Sequence, residues 1–234
     1  MDILRRNKYY ATIAAIIVWG ALWGIFEITL GYLLHAISFG FSWLVWYPAS
    51  CFFMINVYRA THSTWSVLFV GILSGSMKLL NLLLPGRIDR VINPAISIVF
   101  EAMTLALGIY IVNKYLSKQQ NKVYWKALVV LSVNTGWRIM FCLYLLLLVP
   151  EWMREISVIS SVEKIIPFLV TQNLMTSLIV FAGFLLKRQV FKPLRFIENC
   201  LSGSPVPLKW KPVVTITLLI FLLAVNVVLQ LTLS

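Results

Sequence analysis

Charged residues are scarce in this chain, and acidic residues are the scarcest of them. Only 12% of the 234 residues are charged, with 8 Asp and Glu against 20 Lys and Arg. A soluble domain carries about 25% charged residues, whereas this chain is 60% hydrophobic and has a mean hydropathy of +0.88. The composition excludes an ordinary soluble domain and indicates an all-α polytopic membrane protein.

Residues of the kinds that build metal and catalytic sites are also few. Cys51, Cys142 and Cys200 stand apart without CxxC spacing, so neither a disulfide framework nor a zinc site is expected. The histidines, His35 and His62, fall at opposite predicted membrane faces, and the sequence has no HExxH and no Walker A motif. We therefore expect no metal, no cofactor, no ATP hydrolysis by this chain and no enzyme activity.

Long apolar runs are what the chain has in abundance. A helix needs about 20 apolar residues to cross a hydrocarbon core of ~30 Å. Runs of roughly this length cover residues 9–34, 41–58, 65–84, 92–113, 125–149, 165–186 and 212–233. The sequence therefore predicts a single transmembrane domain over residues 1–234 with about seven helices.

The basic residues are distributed unevenly over the two predicted membrane faces. At the span ends and in the connections, 14 of them lie on the face that holds the N-terminus and 4 on the other, namely Arg87, Arg90, Arg154 and Lys164. The positive-inside rule then places the N-terminus in the cytoplasm and the C-terminus outside. This topology, with attraction to anionic lipid of the bilayer, explains the net charge of +12 without a nucleic-acid partner.

The longest cytoplasmic connection is predicted over residues 187–211. Apolar residues recur there at helical spacing, namely Val190, Phe191, Leu194, Ile197 and Leu201. The pattern indicates an amphipathic helix on the inner leaflet before the last span. Such a helix either leads into that span or docks a cytoplasmic partner.

Four ionisable residues lie inside the predicted spans, namely Glu27, Lys78, Glu101 and Arg138. Other polar residues lie at a similar depth in the membrane. A charge in hydrocarbon costs about 2.5–3.5 kcal/mol even on lenient scales, so these groups need partners or a hydrated cavity. Most of them lie at or above the midplane on the predicted outer side. The predicted substrate-binding residues are Glu27, Lys78, Asn81, Glu101, Asn134, Arg138, Gln172 and Asn173, with Trp23 and His35 beside them.

Two interpretations of this polar set compete. In the first, the set forms a pocket for a small polar or zwitterionic molecule, with acids facing cationic groups and bases facing anionic groups. In the second, its members only pair with one another to hold helices together, although such contacts average about 0.6 kcal/mol. For Trp23 and His35, the alternatives to ligand contact are a core tryptophan and an interface histidine.

Glycines at four-residue spacing predict where helices approach each other closely. Gly20 and Gly24 form one such pair in the first span, and Gly71 and Gly75 form another in the third.

Two segments carry a family resemblance: TIAAIIVWGALWGIFEITLGYLLHAI at 12–37 and SGSMKLLNLLLPGRIDRVINPAISIVFEAM at 74–103. With the chain's size and inside N-terminus, they resemble the S components of energy-coupling factor (ECF) transporters. The resemblance implies a subunit that binds a vitamin or cofactor precursor near the outer face, beside a transmembrane coupling subunit and two ATPases. It also implies that Ala11 and Ala15 contact the coupling subunit. S components usually have six helices, so the seventh predicted span is a departure.

The expected function is thus a substrate-binding subunit for nutrient uptake in the cell membrane, most simply of a bacterium. A self-sufficient secondary transporter is one alternative, although the chain shows neither paired discontinuous helices nor an inverted repeat. A membrane enzyme acting on a lipid-linked substrate is another, with Glu27 or Glu101 as the base. It would need an acid nearer the headgroup plane.

Overall fold

The computed structural model describes residues 2–36, 41–83, 87–116 and 122–186, together with positions 217, 220, 221, 224 and 228. In the first range, side chains are described from residue 9 to residue 27. These parts of the chain are helical and contain no strand, as the composition predicts. The predicted connection at 187–211 and most of the predicted seventh span lie outside the described residues.

The helices follow one another with short connections. They are α1 (Asp2–Ala36), α2 (Trp43–Thr61), α3 (Thr64–Leu79), α4 (Asp89–Tyr115), α5 (Val123–Leu147), α6 (Glu151–Arg154), α7 (Val162–Ile166) and α8 (Gln172–Leu185). A 3₁₀ turn, Leu80–Leu83, extends α3, and a π-helical turn, Pro167–Thr171, joins α7 to α8.

Five stretches of the described chain are long and apolar enough to cross a membrane. They are Tyr9–Glu27, Thr64–Leu83, Asp89–Tyr115, Val123–Leu147 and Val162–Leu185. Each coincides with a predicted span, so the chain is a multi-pass α-helical membrane protein. Helix α2 matches the second predicted span and has 19 residues, but polar residues such as Ser50, Asn56 and Arg59 keep it outside this group.

Helix α2 is shielded from lipid by its neighbours. It packs against α1, α3 and α8 and also touches α4. Its polar residues Ser50 and Asn56 are each 1% exposed, and both donate to a backbone carbonyl one turn earlier, at 3.0 and 2.7 Å. Because protein rather than lipid surrounds these polar residues, helix α2 can lie within the membrane domain despite its modest hydropathy.

The close approach predicted from the glycine pair of α3 is confirmed, and it is directed at α4. A Cβ atom at Gly71 would overlap the Cβ atom of Ala102, and one at Gly75 would lie 3.0 Å from the carbonyl oxygen of Ala95. The backbones of α3 and α4 therefore touch at these positions, where a side chain would separate them.

The glycine pair of α1 faces the opposite side of α3. A Cβ atom at Gly20 would lie 2.8 Å from Cδ2 of Leu73, and one at Gly24 would lie 2.9 Å from Sδ of Met77. This approach is also close, but the atoms met belong to flexible side chains. Helix α3 is thus held between α1 and α4, which carry the buried acids.

Candidate functional site

The predicted site residues separate into two groups that differ in how their polar atoms are satisfied. The first, the α5–α8 network, lies between those helices; its members are Asn134, Trp137, Arg138, Asn173, Thr176 and Ser177. The second, the acid–base cluster, lies on α1, α3 and α4; its members are Glu27, Lys78 and Glu101.

Asn134 is the centre of the α5–α8 network and is fully buried. Its amide nitrogen carries two N–H groups and lies within hydrogen-bond distance of three acceptors: the carbonyl oxygen of Asn173 at 2.9 Å, Oγ1 of Thr176 at 2.8 Å and Oγ of Ser177 at 2.9 Å. Its Oδ1 accepts from Nε1 of Trp137 at 2.8 Å. Both ends of this amide are therefore used inside the protein.

Arg138 is buried, and its guanidinium is occupied by protein groups. Nε donates to Oδ1 of Asn134 at 3.2 Å, and Nη1 donates to the carbonyl oxygen of Phe168 at 2.7 Å. The guanidinium also lies over the rings of Trp137 and Phe168, at 4.8 and 4.5 Å from their centroids. Cation–π contacts of this kind add to the hydrogen bonds when they are desolvated.

The π-helical turn explains why the Phe168 carbonyl can accept from Arg138. In an α-helix the N–H of Gln172 would bond to the carbonyl four residues earlier, which is that of Phe168. Here it bonds instead to Pro167, five residues earlier. The Phe168 carbonyl is left for the guanidinium, which fits the frequent occurrence of π-turns at special sites.

Asn173 completes the network from the α8 side. Its Nδ2 donates to Oγ1 of Thr135 at 2.7 Å and to the carbonyl oxygen of Leu169 at 3.1 Å. Gln172, its neighbour in the predicted site, is half-buried and offers its backbone carbonyl to Thr176 at 2.6 Å. Interhelical bonds of this number and geometry hold α5 against α8.

The acid–base cluster begins on α1 with Glu27 and Trp23, both buried. Nε1 of Trp23 donates to Oε1 of Glu27 at 3.2 Å. The indole is stacked on Phe53 of α2, with ring centroids 6.2 Å apart and an angle of 8° between the planes. Trp23 thus positions the carboxylate and packs against the core with one face.

Lys78, in the last turn of α3, is the cation that attracts Glu27 electrostatically. No N···O distance of 4.0 Å or less links the two, and the ion pair formed within the described ranges is that of Arg87 with Asp89, at 2.9 Å. Opposite charges therefore face each other inside the membrane domain without direct contact.

Glu101, on α4, is 5% exposed, and its Oε2 has no hydrogen-bond partner among the described residues. The Ser50 hydroxyl interacts with the carboxyl, and Arg138 and Glu27 act on it electrostatically. Four further buried oxygens of the described chain also lack partners, and two of them, Oγ of Ser74 and Oδ1 of Asn81, belong to the second half of α3 and its 3₁₀ extension. Unlike the α5–α8 network, this region is not internally satisfied.

Sequence reasoning placed no site residue on α2, yet Tyr47, Ser50 and Cys51 lie on its inner face near Glu101. Tyr47 is suited by type to the membrane interface, but it is 2% exposed and stacks on Trp137, with centroids 5.8 Å apart. The spacing i, i+3 and i+4 of these residues on one helical face could have indicated them.

The remaining predicted residues lie on α1. His35 is near its end, and the side chain of His35 is outside the described part. Ala11 is exposed, whereas Ala15 is 4% exposed and belongs to the core. Of the alanines predicted to contact a coupling subunit, Ala11 is therefore the one that presents surface.

Comparisons with family profiles, with curated proteins and with solved structures found no match. The fold and site define a multi-pass helical membrane protein with an unsatisfied acid–base cluster in its interior.

Proposed function

We propose that this chain is the substrate-binding membrane subunit of an uptake system for a small polar nutrient, a vitamin or cofactor precursor. The observation that supports it is Glu101, a buried carboxylate with an oxygen unpaired in the described chain. Burying a charge is unfavourable unless it is paired and hydrogen-bonded. A ligand that donates an N–H to this oxygen removes that penalty, and the gain contributes to affinity.

The charges of the region define the chemistry of such a ligand. Glu27 and Glu101 offer acceptors to cationic or N–H groups, while Lys78 offers an ammonium to a carboxylate or phosphate. Arg138 balances the second acid, so the set is formally neutral. A zwitterionic or neutral polar molecule preserves that balance, whereas a singly charged one would bury net charge.

The α5–α8 network has a different role in this proposal. Asn134, Arg138 and Asn173 use their hydrogen-bonding groups within the protein. We assign them to holding one wall of the site rigid, and we assign ligand contact to the acid–base cluster with Asn81. Preorganised walls of this kind lower the cost of binding.

The proposal includes the finer topology and the partners. Seven helices with a cytoplasmic N-terminus, in a bacterial cell membrane, would place the acid–base cluster in the outer half. An S component of an ECF transporter also holds its substrate near the outer face, although it usually has six helices, and it depends on a transmembrane coupling subunit and ATPases. Ala11, exposed at the opposite end of α1, is available to such a partner.

Native mass spectrometry of the protein, extracted gently from its own membranes, tests the proposal directly. We expect a bound small polar molecule together with coupling and ATPase subunits. A lone chain that carries only lipid would contradict it.

Once the ligand is known, Glu101→Gln tests the site itself. Loss of a hydrogen bond to a charged group costs about 1.5–3 kcal/mol, so affinity should fall about 10- to 100-fold. Glu151→Gln, the same change at an exposed acid of α6, is the matched control and should bind like the wild type. Equal affinity in all three proteins would remove Glu101 from the site.

One observation favours a second candidate, a self-sufficient proton-coupled transporter. Glu27 and Glu101 lie on different helices, repel each other electrostatically and form no ion pair with a described residue. Carboxylates so placed can exchange a proton during transport. Uptake by proteoliposomes that contain this chain alone, driven by a pH gradient, would favour this candidate over the ATPase-dependent one.

A further inference from the structure

An open cleft of about 540 Å³ lies at the end of the bundle that carries the N-terminus. Its walls come from the first turns of α1, the α2–α3 turn and the last turns of α4, and they include Tyr9, His62, Thr64 and Tyr110. The acid–base cluster lies elsewhere, toward the far end of α1 and α3. The cleft is therefore a separate feature of the molecule.

The rim of the cleft is aromatic and exposed. Tyr9, Trp65 and Tyr110 are 65%, 69% and 48% exposed, although each belongs to an apolar spanning stretch. Tyrosine and tryptophan with one apolar and one polar edge are typical of the headgroup level of a bilayer. The cleft thus opens at the border of the membrane rather than in water or in hydrocarbon.

The turn at the base of the cleft is polar and ordered. Oγ1 of Thr61 donates to the carbonyl oxygen of Val57 at 2.8 Å and accepts from the N–H of Ser63 at 3.3 Å. Between them, His62 takes a left-handed conformation with φ 51°. His62 and Thr64 are both among the residues that line the cleft.

The described residues that line the cleft include no acid, and two described cations lie close to it. Nζ of Lys114 lies 5.4 Å from the centroid of Tyr110 and donates to its hydroxyl at 3.0 Å. Arg59 is in the last turn of α2, beside the cleft. The sequence has no Asp or Glu between Glu27 and Asp89 or between Glu101 and Glu151, and Asp2 is the single acid of α1 before Glu27. The surroundings therefore favour an anionic group.

We propose that this cleft binds the headgroup of an anionic phospholipid. Its position at the membrane border, its aromatic rim, its hydroxyls and its positive surroundings match a phosphate ester whose acyl chains lie along the bundle. The volume lies within the usual range for small-molecule sites, about 300–1,000 Å³. The site is independent of the proposed nutrient site and would hold this end of the bundle at a fixed depth in an anionic leaflet.

Trp65 provides the test. Wild-type protein and Trp65→Phe are reconstituted in phosphatidylcholine and titrated with phosphatidylglycerol that has brominated acyl chains, which quench tryptophan on contact. The fluorescence of the wild type minus that of Trp65→Phe is the signal of Trp65, which lies at the cleft. We expect the Trp65 signal to be quenched at a lower fraction of brominated phosphatidylglycerol than of brominated phosphatidylcholine.

Two lysine variants distinguish binding of the lipid at the cleft from general electrostatic attraction between the protein and anionic lipid. One lysine near an anionic surface contributes ~1 kcal/mol, so Lys114→Gln should raise the midpoint of quenching about fivefold. Lys126→Gln removes an exposed cation of the first turn of α5, outside the cleft, and should leave the midpoint unchanged. Equal quenching by both lipids, equal shifts in both lysine variants, or recovery of fluorescence on adding inorganic phosphate would each overturn the proposal.

Discussion

The contact between α3 and α4 makes Gly71→Ala the most informative stability variant. The added Cβ would overlap the Cβ of Ala102 and lie 3.3 Å from the carbonyl oxygen of Ile98. Neither atom can rotate away, so the helices must separate. Overpacking costs about 1–3 kcal/mol, while alanine in place of glycine returns about 1 kcal/mol of helix propensity. We expect a net loss of up to about 2 kcal/mol.

Gly183→Ala is the control that measures the effect of helix propensity without a packing clash. A Cβ atom there would meet nothing within 4 Å, so the variant should be as stable as the wild type or gain up to about 1 kcal/mol. The difference between the two variants then measures the packing cost alone. Gly20→Ala and Gly24→Ala should lie between them, because the nearest atoms there, Cδ2 of Leu73 and Sδ of Met77, can move, whereas the Cβ atoms behind them, at 3.2 and 3.1 Å, cannot.

A compensating substitution on α4 tests whether overlap with Ala102 is the cause of the destabilisation. Ala102→Gly, combined with Gly71→Ala, moves one methyl group from α4 to α3 and conserves the volume at the contact. The double variant should be more stable than the sum of the single changes implies, with a coupling of about 0.5–3 kcal/mol. Free energies of unfolding from SDS titrations, followed by helical circular dichroism, supply the values. Additive changes, or a Gly71→Ala protein as stable as Gly183→Ala, would refute the reasoning.

The same titrations check two further expectations about buried polar groups. Trp19→Phe should destabilise the protein less than Trp137→Phe does, by about 1 kcal/mol. The reason is that Nε1 of Trp19 has no partner in the described chain, whereas Nε1 of Trp137 donates to Asn134. Equal losses of stability in the two variants would contradict this. Asn134→Leu should lose about 2 kcal/mol or more, since it leaves donors of Trp137 and Arg138 unpaired, while Ser132→Leu, at an exposed position of α5, should lose nothing.

Local sequence patterns predicted the contacts of α3 well. A helix places residues four apart on one face, so Gly71 and Gly75 must face the same neighbour wherever that neighbour is. The identity of the neighbour could not be predicted in this way. That α4 meets this face with Ala95 and Ala102 depends on how the helices pack, which no local spacing specifies.

The buried polar residues were found from the sequence, but their roles were not. Arg138 and Glu101 look alike in the sequence, because each is a charge within an apolar run. The partner of Arg138 is a backbone carbonyl, released by the π-helical turn at Pro167–Thr171. A backbone group leaves no signal in the side-chain pattern, so the satisfaction of this charge could not be predicted.

Helix α2 shows a related limit. Hydropathy gave the correct segment, but judged by residue type alone Tyr47 suits the membrane interface and Ser50 interrupts the apolar run. Both are buried because α1, α3 and α8 surround α2. These neighbours determine whether a polar side chain faces lipid or protein. A polar side chain that faces lipid destabilises the protein, whereas one that faces protein can contribute to a site.

The two polar groups of this protein can be compared directly, and the comparison bears on what the acid–base cluster is for. In the α5–α8 network, Asn134 finds partners for both ends of its amide within one helix pair. The chain thus can saturate polar groups whose task is to hold helices together. The Ser50 hydroxyl, on the facing helix α2, interacts with the Glu101 carboxyl, yet Oε2 of Glu101 has no partner among the described residues. Its unpaired oxygen instead supports a partner from outside the described chain, and a ligand that donates hydrogen bonds is the simplest such partner.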